Sequence, residues 1–238
     1  MPSSLFNRLL GLILIVVVLG ACGRTVWIWL DQPIQSVRVD GHFEHIRPNQ
    51  LSHQLSQLVT GQRWLSIDLD TIRNEALQIP WIAQARVTRQ WPNTLDFQLQ
   101  EQQPVAWWNN NGLLNTDGQP FVASIANSQN MANMPHLAGP DDRSADVLAL
   151  YAQLKQRLSP LGLTVTQVRL EARGAWRFQV NNDFWVVLGR GDITIRVTRF
   201  IVAWQRALSS DVANINYIDL RYPNGLAVGW KDKSSGKE

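Results

Sequence analysis

The chain is poor in the residues that build reaction centres and covalent frameworks. Its 238 residues include one cysteine, Cys22, and four histidines. With Cys22 inside an apolar run, the polar remainder holds no disulfide, which either an oxidising or a reducing compartment tolerates. His42 and His45 have a metal-like spacing, but no third ligand accompanies them, and His53 and His136 lie in unrelated segments. Solvated loop and helix-surface histidines are the favoured reading. Charge is scarce too. Twenty-two Lys and Arg against 19 Asp and Glu leave +3, and no basic run interleaves with aromatics as nucleic-acid binding requires. There is no nucleophile elbow and no phosphate-cradling loop. A cell-wall glycosidase needs two facing carboxylates, whereas Glu44, Glu75, Glu101 and Glu171 are scattered where a solvated role suffices. The GRGD string at 189–192 falls between a strand and a helix, so its glycines serve a turn and Asp192 caps the helix. The residues therefore offer no catalytic constellation, no cofactor motif and no metal set, which disfavours an enzyme.

What the chain does have is one long apolar run, LLGLILIVVVLGACGRTVWIWL, from Leu9 to Leu30. Two fates compete. Leu19, Gly20 and Ala21 before Cys22 form an acceptable lipidation signal after a short leader carrying Arg8. Cleavage there, however, would present Val26, Trp27, Ile28, Trp29 and Leu30 to water. Uncleaved, the 22 residues make about 33 Å of helix, enough for a hydrocarbon core of about 30 Å. Arg24 opposes insertion by about 2.5–3.5 kcal/mol, but thirteen Leu, Ile and Val at about 0.4 kcal/mol each outweigh it. Arg24 also lies near the far end, where it can snorkel, and Trp27 and Trp29 suit an interfacial belt. The uncleaved anchor is the favoured reading, with residues 1–8 as a short cytoplasmic leader.

Beyond the anchor, the pattern alternates between period two and helical spacing. SVRVDG reads as a strand. RPNQLSHQLSQLVTG places Leu51, Leu55, Leu58 and Val59 on one helical face, opened by Pro48 and closed by Gly61. DLDTIRNEALQIPW repeats the pattern through Leu69, Ile72, Ala76 and Leu77 or Ile79, until Pro80. IAQARVTRQWP and TLDFQLQE then alternate as two strands. Strand, helix, helix, strand, strand makes a compact α+β unit. In the second stretch, 109–112 and 117–118 mark turns around short strands, and Ser124 to Asp142 reads as an extended loop. Ser144 is placed to cap a helix carrying Val147, Tyr151, Leu154 and Leu158. TVTQVRLEA, WRFQVN and FWVVLG are strands, with 181–183 as a hairpin connection. Ile193, Val197, Phe200, Ile201, Trp204 and Leu208 form a helical stripe. INYIDLRYPNGLAVGW closes as two strands around Pro223-Asn224-Gly225, a strong hairpin signal, and 232–238 read as a disordered tail.

The strings PWIAQARVTRQWPNTLDFQLQEQQPVAWW, NNDFWVVLGRGDITIRVTRF and INYIDLRYPNGLAVGW resemble the FtsQ family of bacterial cell-division proteins (DivIB in other lineages). The resemblance covers essentially residues 5–230. It implies an α+β chain with a transmembrane helix at 9–30, a POTRA domain (β-α-α-β-β) at 34–103 and a β-rich carboxy-terminal domain with flanking helices at 104–231. It further implies a non-enzymatic divisome scaffold at the septum that links early and late division proteins. Such a scaffold recruits the FtsB–FtsL pair and helps control septal peptidoglycan synthesis. The amino terminus would be cytoplasmic, the helix in the inner membrane and the domains periplasmic. FtsK, FtsW and FtsI are implied as further partners through the POTRA domain or the helix. On the matching positions, Tyr222, Gly225 and Trp230 belong to a partner-binding closing hairpin, and Arg221 and Arg173 to basic residues that pair with acidic groups on FtsB. Arg89, Gln90 and Trp91 form a corner that could serve recruitment, although packing of Trp91 against Pro92 is the favoured use. The rival readings are a POTRA-containing envelope assembly or secretion factor, a periplasmic wall enzyme, and a lipoprotein anchored at Cys22. Too few residues follow 103 for a sixteen-stranded barrel at about ten residues per strand.

Overall fold

The computed structural model describes residues 3–122, 131–181 and 183–231. Residues 124–130 of the expected loop, Asn182 of the expected hairpin connection, the tail 232–238 and leader residues 1–2 lie outside the described residues. The chain divides into two units, Met1–Gln102 and Gln103–Glu238.

The first unit begins with α1 (Ser3–Leu30), one unbroken helix. Its apolar stretch Arg8–Leu30 is 23 residues, none of them buried. A helix apolar on every side needs an apolar surrounding, and about 35 Å matches a bilayer core. A three-stranded sheet follows, in the order β1-β3-β2, from β1 (Ser36–Asp40), β2 (Ile82–Gln90) and β3 (Thr94–Glu101). β1 runs parallel to β3, and β2 antiparallel to it. Helices α2 (Pro48–Val59) and α3 (Leu69–Ala76) supply Leu51, Leu55, Val59, Ile72 and Ala76 to a core shared with Val87, Leu95, Phe97 and Leu99. The β-α-α-β-β order and the α+β class are those expected.

Two expectations in this unit are corrected. α3 stops at Ala76, not at Pro80: the Leu77 amide makes the last i−4 bond, to the Arg73 carbonyl, and the Gln78 and Ile79 amides tighten to the carbonyls three residues back, Glu75 and Ala76, at 3.1 and 3.2 Å. Leu77 is thereby exposed, and Ile79 joins the core in its place. Glu101 is not solvated but 7% exposed. Its carboxylate accepts the backbone N–H groups of Glu44 at 2.6 Å, and of His45 and Ile46 at 2.9 Å each. His45 is likewise no free surface residue, since its ring stacks on Trp81 at 4.6 Å.

The second unit is a nine-stranded sheet in the order β12-β11-β10-β9-β8-β7-β4-β5-β6. Its strands are β4 (Pro104–Trp108), β5 (Gly112–Asn115), β6 (Pro120–Phe121), β7 (His136–Ala138), β8 (Val165–Leu170), β9 (Trp176–Val180), β10 (Phe184–Gly189), β11 (Ile215–Asp219) and β12 (Ala227–Trp230). Val168, Phe178, Val186 and Ile218 stand opposite one another across four strands, all fully buried. The adjacent row, Gln167, Gln179, Trp185 and Tyr217, points the other way and is partly open. This is the alternation of a sheet covered on one face. The cover comes from α4 (Ser144–Leu158) and α5 (Ile193–Ala203), the latter prolonged by a π turn through Leu208. Phe200 meets Phe178 edge-on, and Trp204 meets Phe184, both at 5.9 Å between ring centres.

Two corrections arise here as well. The stretch expected as a loop up to Asp142 contains β7, which lies between β4 and β8 and runs parallel to both. Three residues are too few to show a period. β7 is held in part from outside itself, where Asn109 exchanges two hydrogen bonds with Gly139 at 3.0 and 3.1 Å. Ser144 makes no cap; it is buried and its hydroxyl donates to the Gly118 carbonyl at 2.7 Å. Asp192, by contrast, caps α5 as expected, accepting from the Ile195 amide at 3.0 Å.

Candidate partner-binding edge

β11 lies between β10, to which it is parallel, and β12, to which it is antiparallel. β12 ends the sheet, so among the described residues one side of its backbone has no strand beside it. Leu226 and Val228 anchor this edge in the core. At its far end the Lys231 amide donates to the Asn214 carbonyl at 2.7 Å, and the Lys231 ammonium reaches Asp183 at 2.6 Å. An edge that is fixed in place can take up a partner strand through its free N–H and C=O groups.

The connection between β11 and β12 is longer than the Asn-Gly signal predicts. Residues 220–226 form an open loop, and neither Asn224 nor Gly225 adopts the positive φ that a tight two-residue turn needs. A side chain shapes it instead. The Arg199 guanidinium, on α5, donates to the Tyr222 carbonyl at 2.7 Å, to Pro223 at 2.6 Å and to Gly225 at 3.2 Å. Three carbonyls converging on one rigid fork define the loop's path.

Beside the loop, Arg221 folds onto the buried carboxylate of Asp219, donating from Nε at 3.0 Å and from Nη2 at 2.6 Å. The Arg221 amide adds a third donor at 3.0 Å. These hydrogen bonds from Arg221 hold the Asp219 carboxyl below the usual carboxylate range, against burial, which alone would raise it. Room for Arg221 comes from Gly189, whose φ of +72° suits glycine and whose missing Cβ would stand 2.8 Å from Arg221 Cγ. Gly191 gives similar clearance to Arg196, which contacts the Leu188 carbonyl and adds positive potential at Asp219. The glycines of the GRGD string thus seat two arginines as well as forming a turn.

Among the expected site residues, Arg221, Tyr222 and Gly225 share the loop. Tyr222 is 55% exposed, its backbone held and its ring outside the core. Gly225 has open space around it. Trp230, 51% exposed, sits at the opposite end of β12, facing Ile215 in register, about 10 Å along the strand from Ala227. Arg173 lies in the exposed turn between β8 and β9. The register Asp219–Val187–Arg177–Arg169 puts that turn at the same end of the sheet as Arg221, several strands away. Tyr222 and Trp230 therefore bracket the free edge, and Arg221 and Arg173 lie along one end of the sheet.

Sequence reasoning missed Arg199, Asp219, Tyr217 and Gly229. The Tyr217 ring covers Gly229 directly, so that a methyl group there would fall inside contact distance. The i, i+2 spacing of Asp219 and Arg221 was a usable signal. Nothing in the sequence marked Arg199 as a loop clamp.

Comparison with known proteins bears on both units. Residues 106–221 match the family described as cell division protein FtsQ/DivIB, C-terminal, and residues 32–102 match the POTRA domain, FtsQ-type. The chain is 36% identical to the cell division protein FtsQ of Shewanella oneidensis over 84% of its own length and 75% of the relative's. For the Aliivibrio fischeri protein of the same name the values are 34%, 87% and 80%, and for that of Alcanivorax borkumensis 32%, 85% and 78%.

Proposed function

Because the chain belongs to the FtsQ/DivIB family of cell-division proteins, we propose that it is a non-enzymatic scaffold of the division septum that recruits the FtsB–FtsL pair at the free edge of β12. The observation that carries this reading is the edge itself, open on one side and bracketed by exposed Tyr222 and Trp230. FtsB adds an extended segment beside β12, backbone groups pair, and the two aromatic rings close over its ends. Arg221 presents the guanidinium edge that Asp219 leaves unused, and Arg173 lies further along the same end of the sheet for an acidic flank.

In the same reading α1 anchors the chain in the inner membrane, with the amino terminus in the cytoplasm and both units in the periplasm. The first unit is the POTRA domain, contacting FtsK, FtsW or FtsI directly or through the helix. By bringing FtsB–FtsL to the septum, the protein links early to late division proteins and helps control septal peptidoglycan synthesis.

The test is binding of purified residues 31–238 to the periplasmic FtsB–FtsL pair, beside Tyr222→Ala and Arg221→Glu variants verified as folded by circular dichroism. The fragment starts at Asp31 because its carboxylate bonds into the first unit. Micromolar or tighter binding, lost in the folded variants, is expected. Wild-type binding that both variants retain would remove the edge from the interface. In cells, depletion is expected to give filaments, rather than the leakage of an assembly factor or the chains of a lost hydrolase.

A further inference from the structure

The end of α1 is built into the first unit with almost no linker. The Asp31 amide donates to the Trp27 carbonyl at 2.9 Å, as the next link of the helix would. Its side chain, 6% exposed, belongs to the domain. The carboxylate accepts from Arg63 Nε and the Leu65 amide, both at 2.9 Å, and from the Ser66 hydroxyl at 3.2 Å. The Arg63 guanidinium also donates to the Asp31 carbonyl at 2.5 Å. One residue is both the exit from the helix and an anchor point of the domain.

The next residues fix which end of the domain lies closest to that exit. The Trp64 amide donates to the Gln32 carbonyl at 2.8 Å, while its indole N–H donates to the carbonyls of Gln90 and Thr94, both at 3.2 Å. The Gln35 amide donates to the Asn93 carbonyl at 3.0 Å, and the hydroxyls of Ser36 and Thr94 are 2.6 Å apart. The β2–β3 corner, residues 90–94, is therefore bonded directly to the chain just past α1. Gln35 is five residues from Leu30, at most about 17 Å of extended chain. From there β1 runs on to Asp40, about 13 Å along the strand from Ser36.

At the tip of the near corner stands Trp91, 62% exposed. Outside α1 it is the most exposed large apolar side chain among the described residues of this unit. A tryptophan left uncovered at this place has an obvious medium. The headgroup layer extends about 5–8 Å beyond the hydrocarbon core on each side, and indole rings partition into that layer.

We propose that the Gln90–Asn93 corner rests on the membrane that α1 crosses, with the Trp91 ring seated among the lipid headgroups and the Asp31–Arg63–Ser66 joint holding it there. The inference rests on the reading of α1 as a membrane span, and its ligand is the lipid surface itself. It gives the domain two attachments to the bilayer, the helix and the ring, which together set its tilt.

The test uses the full chain reconstituted in phosphatidylethanolamine–phosphatidylglycerol liposomes, in a Cys22→Ser background. A single cysteine for a fluorophore is introduced at Gln90, which leaves Trp91 intact, or at His42, beyond the far end of β1. Lipids carrying a nitroxide at the headgroup are expected to quench the Gln90 label several-fold more than the His42 label. Trp91→Ser and, separately, Asp31→Ala are expected to reduce the difference. Equal quenching at the two positions in liposomes that carry the protein on flotation overturns the corner contact while leaving the span intact. Quenching at Gln90 unchanged by Trp91→Ser removes the ring from its role. Failure of the protein to float with the liposomes sinks the span and the corner together.

Discussion

Arg221 turns back on Asp219 two positions earlier, so the charge at the head of the candidate edge is set within the chain before any partner arrives. The guanidinium reaches both carboxylate oxygens, with Nε 3.0 Å from each. Its exposed remainder is held in one orientation, which reduces the entropy lost when an acidic group binds.

This pairing makes the second unit sensitive to acid. Asp219 is held below its ordinary value of about 3.9 by Arg221. A depressed folded-state pKa contributes stability that is complete above the unfolded value and is lost as pH falls through the folded one. The urea midpoint of residues 31–238, followed by tryptophan fluorescence, is expected to drop as pH is lowered below about 4. Asp219→Asn should show a shallower drop over the same range. Parallel curves for the two proteins would mean that the ion pair contributes nothing to the acid response.

Arg199→Ala removes three hydrogen bonds from the 220–226 loop without touching the expected partner surface. Amide exchange in residues 220–226 is expected to accelerate while the strands stay protected. Affinity for FtsB–FtsL should fall about tenfold, the effect of about 1.4 kcal/mol of lost pre-organisation. Arg199→Lys, lacking the planar fork, should restore little of it. Unchanged exchange would show that the loop holds its path unaided.

Gly229→Ala brings a methyl group against the Tyr217 ring. Overpacking of this kind costs about 1–3 kcal/mol, and the ring can relieve it only by leaving β12. Tyr217→Ala combined with Gly229→Ala should regain part of the loss. A double-mutant cycle in urea reads the coupling, and strict additivity would exclude the steric account.

Glu101→Ala leaves the amides of Glu44, His45 and Ile46 without their acceptor. An unsatisfied buried donor costs about 1–3 kcal/mol; these amides are part-buried, so the first unit is expected to lose about that much for the three together. Glu101→Gln, which keeps an acceptor oxygen, should lose less. Identical midpoints for all three proteins would show the amides are satisfied by water.

How much of this could be read from sequence follows the physics of each element. The faces of α2 and α5 and the alternation in β2, β3 and β8–β10 are periodic, and periodicity is a local property. β7 has no room for a period and is specified by its neighbours. The early stop of α3 depends on a cap only partly signalled by Pro80. Asn224-Gly225 promised a tight turn, but Arg199, more than twenty residues earlier, drew the loop open. Glu101 and Asp31 were illegible for a related reason: a carboxylate looks solvated until the fold aims backbone amides at it. At the candidate edge, exposed Tyr222 and Trp230 were in view from the start, whereas the residues that hold them in place were not.

The joint at Asp31 has a consequence for encounter. A domain on a flexible tether sweeps a hemisphere about its anchor, and partners must find it in three dimensions. A first unit joined to α1 without slack keeps its surfaces at a fixed height above the bilayer. On the proposed reading, partners anchored in the same membrane then diffuse towards a target confined to one plane, and a contact of modest strength is met at high local concentration.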